Sequence, residues 1–558
     1  MRREKQGMQP MDGEPPEWSA LADYWRGRSL VDNFSQDPQR SRRYQIEVAG
    51  LRVDFSRQFI DEDSRPLLLE RAGRVGFHAQ RDALFGGECV NRSEGRPALH
   101  MALRDDSTRE WQADGEPVTP SVAHELKQMA RFVDALHQGK WRGSTGQPIR
   151  HVVNIGIGGS HLGPEMVVTA LDPAPEAPRL HFLSNVDPAQ AERVLAALDP
   201  SQTLFLVVSK TFTSKETMEN ARLARRWIAN ALGEAAVEAH FAAVSAAPEQ
   251  VVKFGIAESN CFRFWDWVGG RYSVWSTAGL AAAVHLGMPA FRELLDGAAE
   301  MDRHFERAPD EGNLPLLLGL LDVQSVSAFG WPVWSVVPYA DRLRLLPDYF
   351  QQLMMESNGK AVRQDGHAVA ADCAPVLLGG IGTDAQHAFF QLFHQGPVPV
   401  PVDFIAATRP GRSSCQDDAD AWRRHRILLA NCIAQGEALC RGKSLAEVEA
   451  ELSAAGLDKS EIARLAPQKC FPGNRPSNLI LMRELSPRSL GALIALFEHR
   501  VFVQACLWGI NPFDQMGVEL GKQLARNVES LMFGNGGTAD DPAMAEQLAW
   551  LQAQWKGE

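Results

Sequence analysis

The chain has 558 residues, more than one hydrophobic core normally organises, so we expect two or more packed units. Hydrophobic residues make up 45% and charged residues 23%, and no stretch approaches the roughly 18 uninterrupted apolar residues of a membrane span, which excludes an integral membrane class. The formal net charge of -12 disfavours nucleic acid and anionic membranes as partners, so an anionic ligand would need a locally basic pocket.

The N-terminal hundred or so residues carry helical patterns. Residues 1–18 include basic side chains but no apolar stretch behind them, so we expect a disordered lead-in and not an export signal. Residues 18–30 are amphipathic and residues 57–74 form a charged run, and neither shows regular strand alternation. These patterns predict a mainly helical region. The eight cysteines are dispersed and include no C-x-x-C pair, which indicates reduced structural thiols.

From residue 151 the sequence alternates short apolar runs with helical stretches. The first set of runs is HVVNIGI, RLHFLSN, TLFLVVSK and HFAAVSA, starting at residues 151, 179, 203 and 240. The second set is PVWSVVPYA, PVLLGGIG and VPVDFIAA, starting at residues 332, 375 and 400. This alternation is typical of parallel strands joined by crossover helices. We predict an α/β fold with two parallel sheets in tandem.

Two of these predicted strands end in loops that suit a phosphate group. The loop after HVVNIGI contains Gly158, Gly159, Ser160, His161 and Gly163, and the loop after TLFLVVSK contains Ser209, Lys210, Thr211, Thr213 and Ser214. Glycine backbone and helix N-terminal N–H groups can approach an anion in the first loop, and hydroxyls with one ammonium can bind it in the second. Neighbouring strand ends can share such a site. A tight turn and a Ser/Thr helix cap remain the alternative interpretations.

A carboxylate that could act as a general base lies in the run DYFQQLMMESNGK. Gln352 and Glu356 are four residues apart and share a helix face, and the helix breaks at Ser357-Asn358-Gly359. Its apolar neighbours could partly desolvate Glu356, which would suit proton abstraction. A solvated glutamate at a helix end is the alternative.

Three further side chains could take part in proton transfer or charge stabilisation. His387 follows the strand PVLLGGIG, where it could exchange protons with a ligand or serve as a hydrogen-bonded structural histidine. Arg271 follows two glycines and could stabilise a developing anion or pair with Asp266. Lys522 lies seven residues after Gln515 on the same predicted helix face, and by itself it is typical of a surface lysine.

A long apolar segment, SLGALIALFEHRVFVQACLWGI, begins at residue 489. Glu498, His499 and Arg500 interrupt it near the middle, and charges there oppose membrane insertion. We therefore predict a buried helix.

Seven segments together resemble the glucose-6-phosphate isomerase (phosphoglucose isomerase) family, in that family's order. They are NIGIGGSHLGP, SKTFTSKET, VGGRYSVWS, MESNGK, GTDAQHAFFQLFHQG, GNRPSN and INPFDQMGVELGK. The likeness extends from NRSEGRPALHMALR near residue 91 to GVELGK at residue 517. It implies two tandem sugar-isomerase (SIS-type) α/β subdomains with added helices, and a homodimer with shared active sites. It also implies a cytoplasmic role in glycolysis and gluconeogenesis.

The resemblance further implies the reaction and the roles of individual residues. Glucose 6-phosphate and fructose 6-phosphate would be interconverted without a metal or organic cofactor. His387, assisted by Lys522, would open the sugar ring. Glu356 would move a proton between C2 and C1 through a cis-enediol whose charge Arg271 stabilises. The residues that would contact the substrate or its phosphate are Gly159, Ser160, Ser209, Lys210, Thr211, Ser214, Gln352 and Gln515. His161, Ser214 and Lys215 depart from the family pattern.

On this basis we expect four regions along the chain. They are a mainly helical region over 1–120, a first subdomain over 121–290 with the phosphate loops, a second over 291–510 with Glu356 and His387, and a C-terminal segment over 511–558 with Lys522 and a helical tail. Two alternatives remain open: a related phosphosugar such as mannose 6-phosphate as substrate, and a non-catalytic phosphosugar-binding or signalling protein on the same fold. A nicotinamide-dependent enzyme is disfavoured because His161 occupies the third glycine position of the dinucleotide fingerprint.

Overall fold

The computed structural model describes residues 16–105, 107–369, 373–411, 419–533, 539 and 541–555. The chain divides into two compact units, Met1–Pro512 and Phe513–Glu558. The larger unit contains two mainly parallel sheets flanked by helices, which confirms the predicted α/β fold. Residues 1–15 of the predicted lead-in lie outside the described residues. Its last residues, from Pro16, are helical, which corrects the expected disorder there.

The N-terminal region is helical except for two hairpins. Its helices are α1 (Pro16–Trp25), α2 (Leu30–Gln36), α3 (Arg40–Arg43), α4 (Arg65–Arg74), α5 (Phe77–Gly86) and α6 (Thr119–His137). Its strands are β1 (Gln45–Val48), β2 (Leu51–Arg57), β3 (Gln112–Ala113) and β4 (Glu116–Pro117). Strand β2 buries Leu51, Val53 and Phe55 while Arg52 is exposed. The hairpin of β1 and β2 lies between the two segments singled out as helical, 18–30 and 57–74, and it was not predicted from the sequence.

The first sheet contains five parallel strands in the order β6-β5-β7-β8-β9. They are β5 (His151–Ile155), β6 (Arg179–Leu183), β7 (Thr203–Val208), β8 (Phe241–Ser245) and β9 (Cys261–Arg263), with helices α7 (Leu162–Ala170), α8 (Pro188–Leu195), α9 (Lys215–Leu232) and α10 (Pro248–Phe254). Every residue of β7 and β8 is buried, as is typical of parallel strands covered on both faces. The four strands predicted here are confirmed, and β9 is an addition.

Three helices follow the first sheet, α11 (Leu280–Leu286), α12 (Met288–Arg307) and α13 (Leu314–Val323). The second sheet then has six strands in the order β1-β2-β13-β12-β10-β11. Its later strands are β10 (Val333–Pro338), β11 (Val376–Gly379), β12 (Val402–Ala407) and β13 (Ser477–Met482), which are mutually parallel where they pair. Its helices are α14 (Leu346–Gln351), α15 (Phe390–Gln395), α16 (Ala419–Arg441), α17 (Leu445–Ala454) and α18 (Lys459–Leu465).

The N-terminal hairpin extends the second sheet instead of the first. Strand β2 pairs antiparallel with β13, so residues from opposite ends of the larger unit share one edge of the sheet. Predicted strands β10, β11 and β12 are confirmed, whereas the sequence analysis missed β13 and the hairpin.

Helix α19 (Pro487–Trp508) lies in the core of the larger unit. Among the described residues it is the one helix long and apolar enough to cross a membrane, and all of that apolar stretch is buried within the protein. The prediction of a buried helix is confirmed. Its three consecutive charged or titratable residues each have separate buried partners: Glu498 accepts from Arg104 and Trp275, His499 contacts Asp302, and Arg500 donates to Asp322 and Asp403.

The smaller unit contains two helices in its described part, α20 (Glu519–Met532) and α21 (Pro542–Gln554). Lys522 lies in the first turns of α20, and Gln515 precedes a short 3-10 turn that leads into it. The helical pattern predicted at the end of the chain is thus present.

Candidate active site

The glycine loop after β5 is closely packed against two other segments. Gly158 has a φ of +59°, which favours glycine, and a Cβ added there would lie 3.1 Å from Nε2 of Gln352. A Cβ on Gly159 would overlap the carbonyl oxygen of Gly270. The loop therefore lies between the turn that carries Gln352 and the loop that carries Arg271. Glycine is required at Gly159 because another backbone occupies the space of a side chain.

The buried side-chain amide of Asn154 is hydrogen-bonded to the glycine loop. Asn154 is fully buried in β5, and its Nδ2 donates to the carbonyl of Ser160 at 3.0 Å. The sequence analysis missed Asn154, although a polar residue inside an apolar strand is a usable signal, because buried polar groups are retained for the bonds they make.

The loop after β7 contains a buried hydroxyl that lacks a partner. Ser209 is 3% exposed, and its Oγ has no hydrogen-bond partner among the described residues. Ser214 is the N-cap residue of α9, but its side chain makes no capping bond, so the helix-cap alternative does not account for it. Thr211 Oγ1 lies 2.7 Å from Thr213 Oγ1 at the protein surface. A ligand at these strand ends would supply the missing partner for Ser209.

Lys210 connects this loop to the segment before Arg271. Its Nζ donates to the carbonyls of Asp266 and Val268 at 2.9 and 3.1 Å. Arg96 also donates to the Asp266 carbonyl, at 3.2 Å. Burial, and then the charge of Arg96, lower the pKa of Lys210 to about 8. Arg96 lies in the NRSEGRPALH segment that contributes to the family resemblance, but the sequence analysis gave it no role.

Arg271 faces the candidate base. It is 1% exposed, its Nε donates to Ser357 Oγ at 2.6 Å, and it also donates to the carbonyl of Pro512. Its Nη1 lies 3.4 Å from Oε2 of Glu356. The sequence offered Asp266 as an alternative partner of Arg271. The backbone carbonyl of Asp266 accepts a hydrogen bond from Lys210. A fixed guanidinium thus lies beside a carboxylate, the arrangement that can stabilise an anion formed by proton abstraction.

Glu356 ends a widened helical turn. Helix α14 continues as a π-helical turn over Gln352–Glu356, where the sequence pattern predicted a regular α-helix. The Glu356 side chain is 24% exposed, so the alternative of a fully solvated helix-end glutamate does not apply. Lys360 Nζ caps the turn by donating to the carbonyls of Glu356 and Ser357, at 2.9 and 2.6 Å. π-helical turns occur often at functional sites.

Gln352 lies between the candidate base Glu356 and the glycine loop. Its amide lies beside Gly158, and its Oε1 is buried without a hydrogen-bond partner among the described residues. Within the larger unit, close contacts therefore link the first loop to Gln352 and to the Arg271 loop, and Arg271 to Glu356.

Three further predicted residues lie on other elements: His387, Gln515 and Lys522. His387 ends a short 3-10 turn, Asp384–His387, where it is exposed, and no hydrogen bond or ion pair links it to Glu356 or Arg271 in the described part of the chain. Gln515 and Lys522 belong to the smaller unit, where Lys522 is exposed and pairs with Glu519 at 2.8 Å. Within this unit, the exposed pair is what the alternative interpretation of Lys522 as an ordinary surface lysine predicts.

His161 is the departure from the family pattern nearest to the first loop. Its Nε2 lies 3.1 Å from Oε2 of Glu165, and burial lowers its pKa. Burial thus disfavours a positive charge on His161 beside the glycines.

Comparisons with known proteins agree with this geometry. A family model described as Phosphoglucose isomerase matches residues 54–542. A glucose-6-phosphate isomerase from Xanthobacter autotrophicus is 50% identical over 510 residues, covering 91% of this chain and 92% of the relative. One from Brucella ovis is 48% identical over 530 residues, covering 95% of each. The crystal structure of a glucose-6-phosphate isomerase from Chlamydia trachomatis superposes with a TM-score of 0.82 at 29% identity, covering 97% of this chain and 99% of that one. The resemblance seen in the seven segments is confirmed, and the chain belongs to the phosphoglucose isomerase family.

Proposed function

We propose that this chain interconverts glucose 6-phosphate and fructose 6-phosphate by proton transfer between C1 and C2. The observation that carries the proposal is the pairing of Glu356 with the buried Arg271, their Oε2 and Nη1 atoms 3.4 Å apart, beside a glycine loop at a strand end. The names of the Xanthobacter and Brucella relatives support this substrate pair. A non-catalytic sensor has no need for a carboxylate beside a fixed guanidinium, and no observation favours one.

The activity is tested by giving the purified protein fructose 6-phosphate in the presence of EDTA. Glucose 6-phosphate is followed with a coupled dehydrogenase. We expect turnover that EDTA does not reduce, because the reaction needs a base and an anion-stabilising group and the family resemblance implies no metal. A folded protein without turnover would contradict the proposed activity. Turnover that EDTA abolishes and a divalent cation restores would contradict the cofactor-free mechanism.

In the proposed mechanism the phosphate is bound at one end and the carbons react at the other. Gly159, Ser160, Ser209, Lys210, Thr211 and Ser214 hold the phosphate. His387, with Lys522, opens the ring by proton exchange with the ring oxygen. Glu356 then removes the C2 proton while O1 gains one, and returns a proton to C1 while O2 gives one up. Arg271 stabilises the charge of the cis-enediol stage, and Gln352 and Gln515 contact the substrate.

Phosphate binding should weaken as pH rises through the pKa of Lys210, which is lowered to about 8. A phosphate monoester is already dianionic above roughly pH 7, so the ammonium is the group that changes. Below about pH 8 the Lys210 side chain is a charged ammonium. Above that pH it is a neutral amine, which must take up a proton when phosphate binds. We expect the KM for fructose 6-phosphate to rise by up to about tenfold per pH unit between pH 8 and 10. In Lys210→Arg the cation persists and KM should vary far less. A flat wild-type profile would contradict a role for the Lys210 ammonium in phosphate binding.

We also propose a cytoplasmic homodimer in which His387 reaches the active site of the partner chain. The exposed position of its side chain, which makes no hydrogen bond to other described residues, supports a function outside its own chain. The subdomain borders near residues 121, 291 and 511 and the cytoplasmic location rest on the family relationship.

Mixing two inactive variants tests this arrangement. If His387 serves the partner's site, a hybrid dimer of Glu356→Gln and His387→Ala contains one intact site and one doubly altered site. Random exchange should then restore about a quarter of the wild-type activity, as expected for shared sites in a symmetric dimer. The two variants are unfolded together and refolded, and activity is compared with each variant refolded alone. No restoration, with hybrids detected by native mass spectrometry, would place His387 in the site of its own chain.

A further inference from the structure

Ser357 immediately follows Glu356 and contacts Arg271 instead of solvent. It is fully buried, and its Oγ accepts a hydrogen bond from Nε of Arg271 at 2.6 Å. The hydroxyl of Tyr272 lies 3.0 Å from the same Oγ. A hydrogen bond thus links Ser357, the residue after Glu356, to Arg271, the arginine that faces Glu356.

The contacts of Arg271 fix the plane of its guanidinium. Nε is bonded to Ser357, a terminal nitrogen donates to the Pro512 carbonyl, and Nη1 remains 3.4 Å from Glu356. The backbone of Arg271 is held as well, because the Tyr349 hydroxyl donates to its carbonyl at 3.2 Å. Ser357 supplies the side-chain acceptor at Nε, the position that sets the rotation of the guanidinium about its long axis.

Removing that acceptor should change orientation more than charge. A buried N–H that loses its partner is unfavourable, so the guanidinium would turn toward another acceptor. Stabilisation of a developing anion depends on donors that are already in place, and it is lost when they move by about 1 Å. The Arg271 charge would persist, but its alignment with the reacting carbons would not.

We propose that Ser357 is a positioning residue that holds Arg271 in the orientation that stabilises the enediolate, an inference that rests on the proposed isomerase function. It predicts a selective loss of affinity for planar anions at the C1 end of the ligand. Binding of the phosphate end should be nearly unaffected, because that end contacts other loops.

The test compares two probes by calorimetry. One is a five-carbon aldonate phosphate, whose planar carboxylate resembles the enediolate, and the other is sorbitol 6-phosphate, which is neutral at that end. In Ser357→Ala we expect roughly 10- to 100-fold weaker binding of the aldonate and a similar fall in kcat. Affinity for sorbitol 6-phosphate and the KM should change less than about threefold. Ser357→Thr keeps the hydroxyl and should recover most of the loss.

A matched control separates this effect from the loss of any buried hydroxyl. Ser335 in β10 is also fully buried, and its Oγ has no hydrogen-bond partner among the described residues. Ser335→Ala should leave both affinities and kcat unchanged. If Ser357→Ala does not fold, Ser357→Cys keeps nearly the same shape with a weaker acceptor and should show the same selective loss.

Two results would overturn the inference. One is an unchanged ratio of aldonate to sorbitol phosphate affinity in the Ser357 variant, and the other is an equal loss in Ser357→Ala and Ser357→Thr. The ratio is measured without turnover, so its outcome is independent of the activity. Wild-type protein that shows the selective binding but no isomerisation would overturn the proposed function alone.

Discussion

Replacing Glu356 with glutamine is expected to lower kcat by roughly two to four orders of magnitude, the usual contribution of a positioned general base. Glutamine keeps the shape of the side chain, but it cannot accept the C2 proton. Its amide oxygen can still lie beside Arg271, so folding and sugar phosphate binding should persist. The coupled assay measures turnover, and exchange of the C2 hydrogen in deuterated water measures proton abstraction directly. Both should fall together.

A second glutamate provides a matched control for this substitution. Glu306 is also 24% exposed and also pairs with an arginine, Arg109, at 2.7 Å. Glu306→Gln should therefore retain nearly full turnover, which shows that loss of a half-buried ion pair is not sufficient to stop the reaction. If Glu356→Gln retained more than about a tenth of wild-type kcat, the base would have to be another group.

Adding one methyl group at Gly159 is expected to lower kcat/KM about 100-fold or more, because small misplacements of catalytic groups have effects of that size. The new Cβ would overlap the Gly270 carbonyl, so the glycine loop and the Arg271 loop would have to separate. That movement affects the phosphate site and the anion-stabilising group together. We therefore expect kcat and KM both to worsen, measured with fructose 6-phosphate at saturating and limiting concentrations.

Gly270 provides the control on the opposite side of the same contact. A Cβ on Gly270 would meet no atom within 4 Å, and its φ is not in the left-handed region. Gly270→Ala should cost far less activity than Gly159→Ala. Equal losses in the two variants would indicate that backbone flexibility, and not the close approach of the two loops, matters here.

The fold could be predicted largely because its central strands are mostly apolar. The runs that became β5, β7, β8 and β12 are buried on both faces, and composition alone distinguishes them from the surrounding helices. Strand β2 is different, because its pattern is short and its partner is β13, near the other end of the larger unit. No local pattern specifies such a distant pairing.

The site could be predicted only in part, for the same reason. Glycines and hydroxyls after strands indicate a phosphate site locally. Only the resemblance gave Gln352 a role at the same substrate, and the structure brings Gln352 to the first loop. The contact of Arg271 with Glu356 joins residues that are far apart in the chain, and only the family resemblance gave both a role at the same substrate carbons. The π-helical turn at Gln352–Glu356 and the bond of Arg271 to Ser357 have no sequence signal that we could read. Asn154 had one, a polar residue in a buried strand, which was overlooked.

The buried pairs along helix α19 restrict rotation of that helix. Consecutive helical residues point about 100° apart, so Glu498, His499 and Arg500 project in three directions. Their partners lie in separate elements, including Asp302 in α12, Asp322 in α13 and Asp403 in β12. Turning the helix by one residue would leave these charges unpaired, at about 3–5 kcal/mol for each broken buried pair. The helix is therefore held against rotation about its axis, because any such turn would break buried pairs with several elements at once.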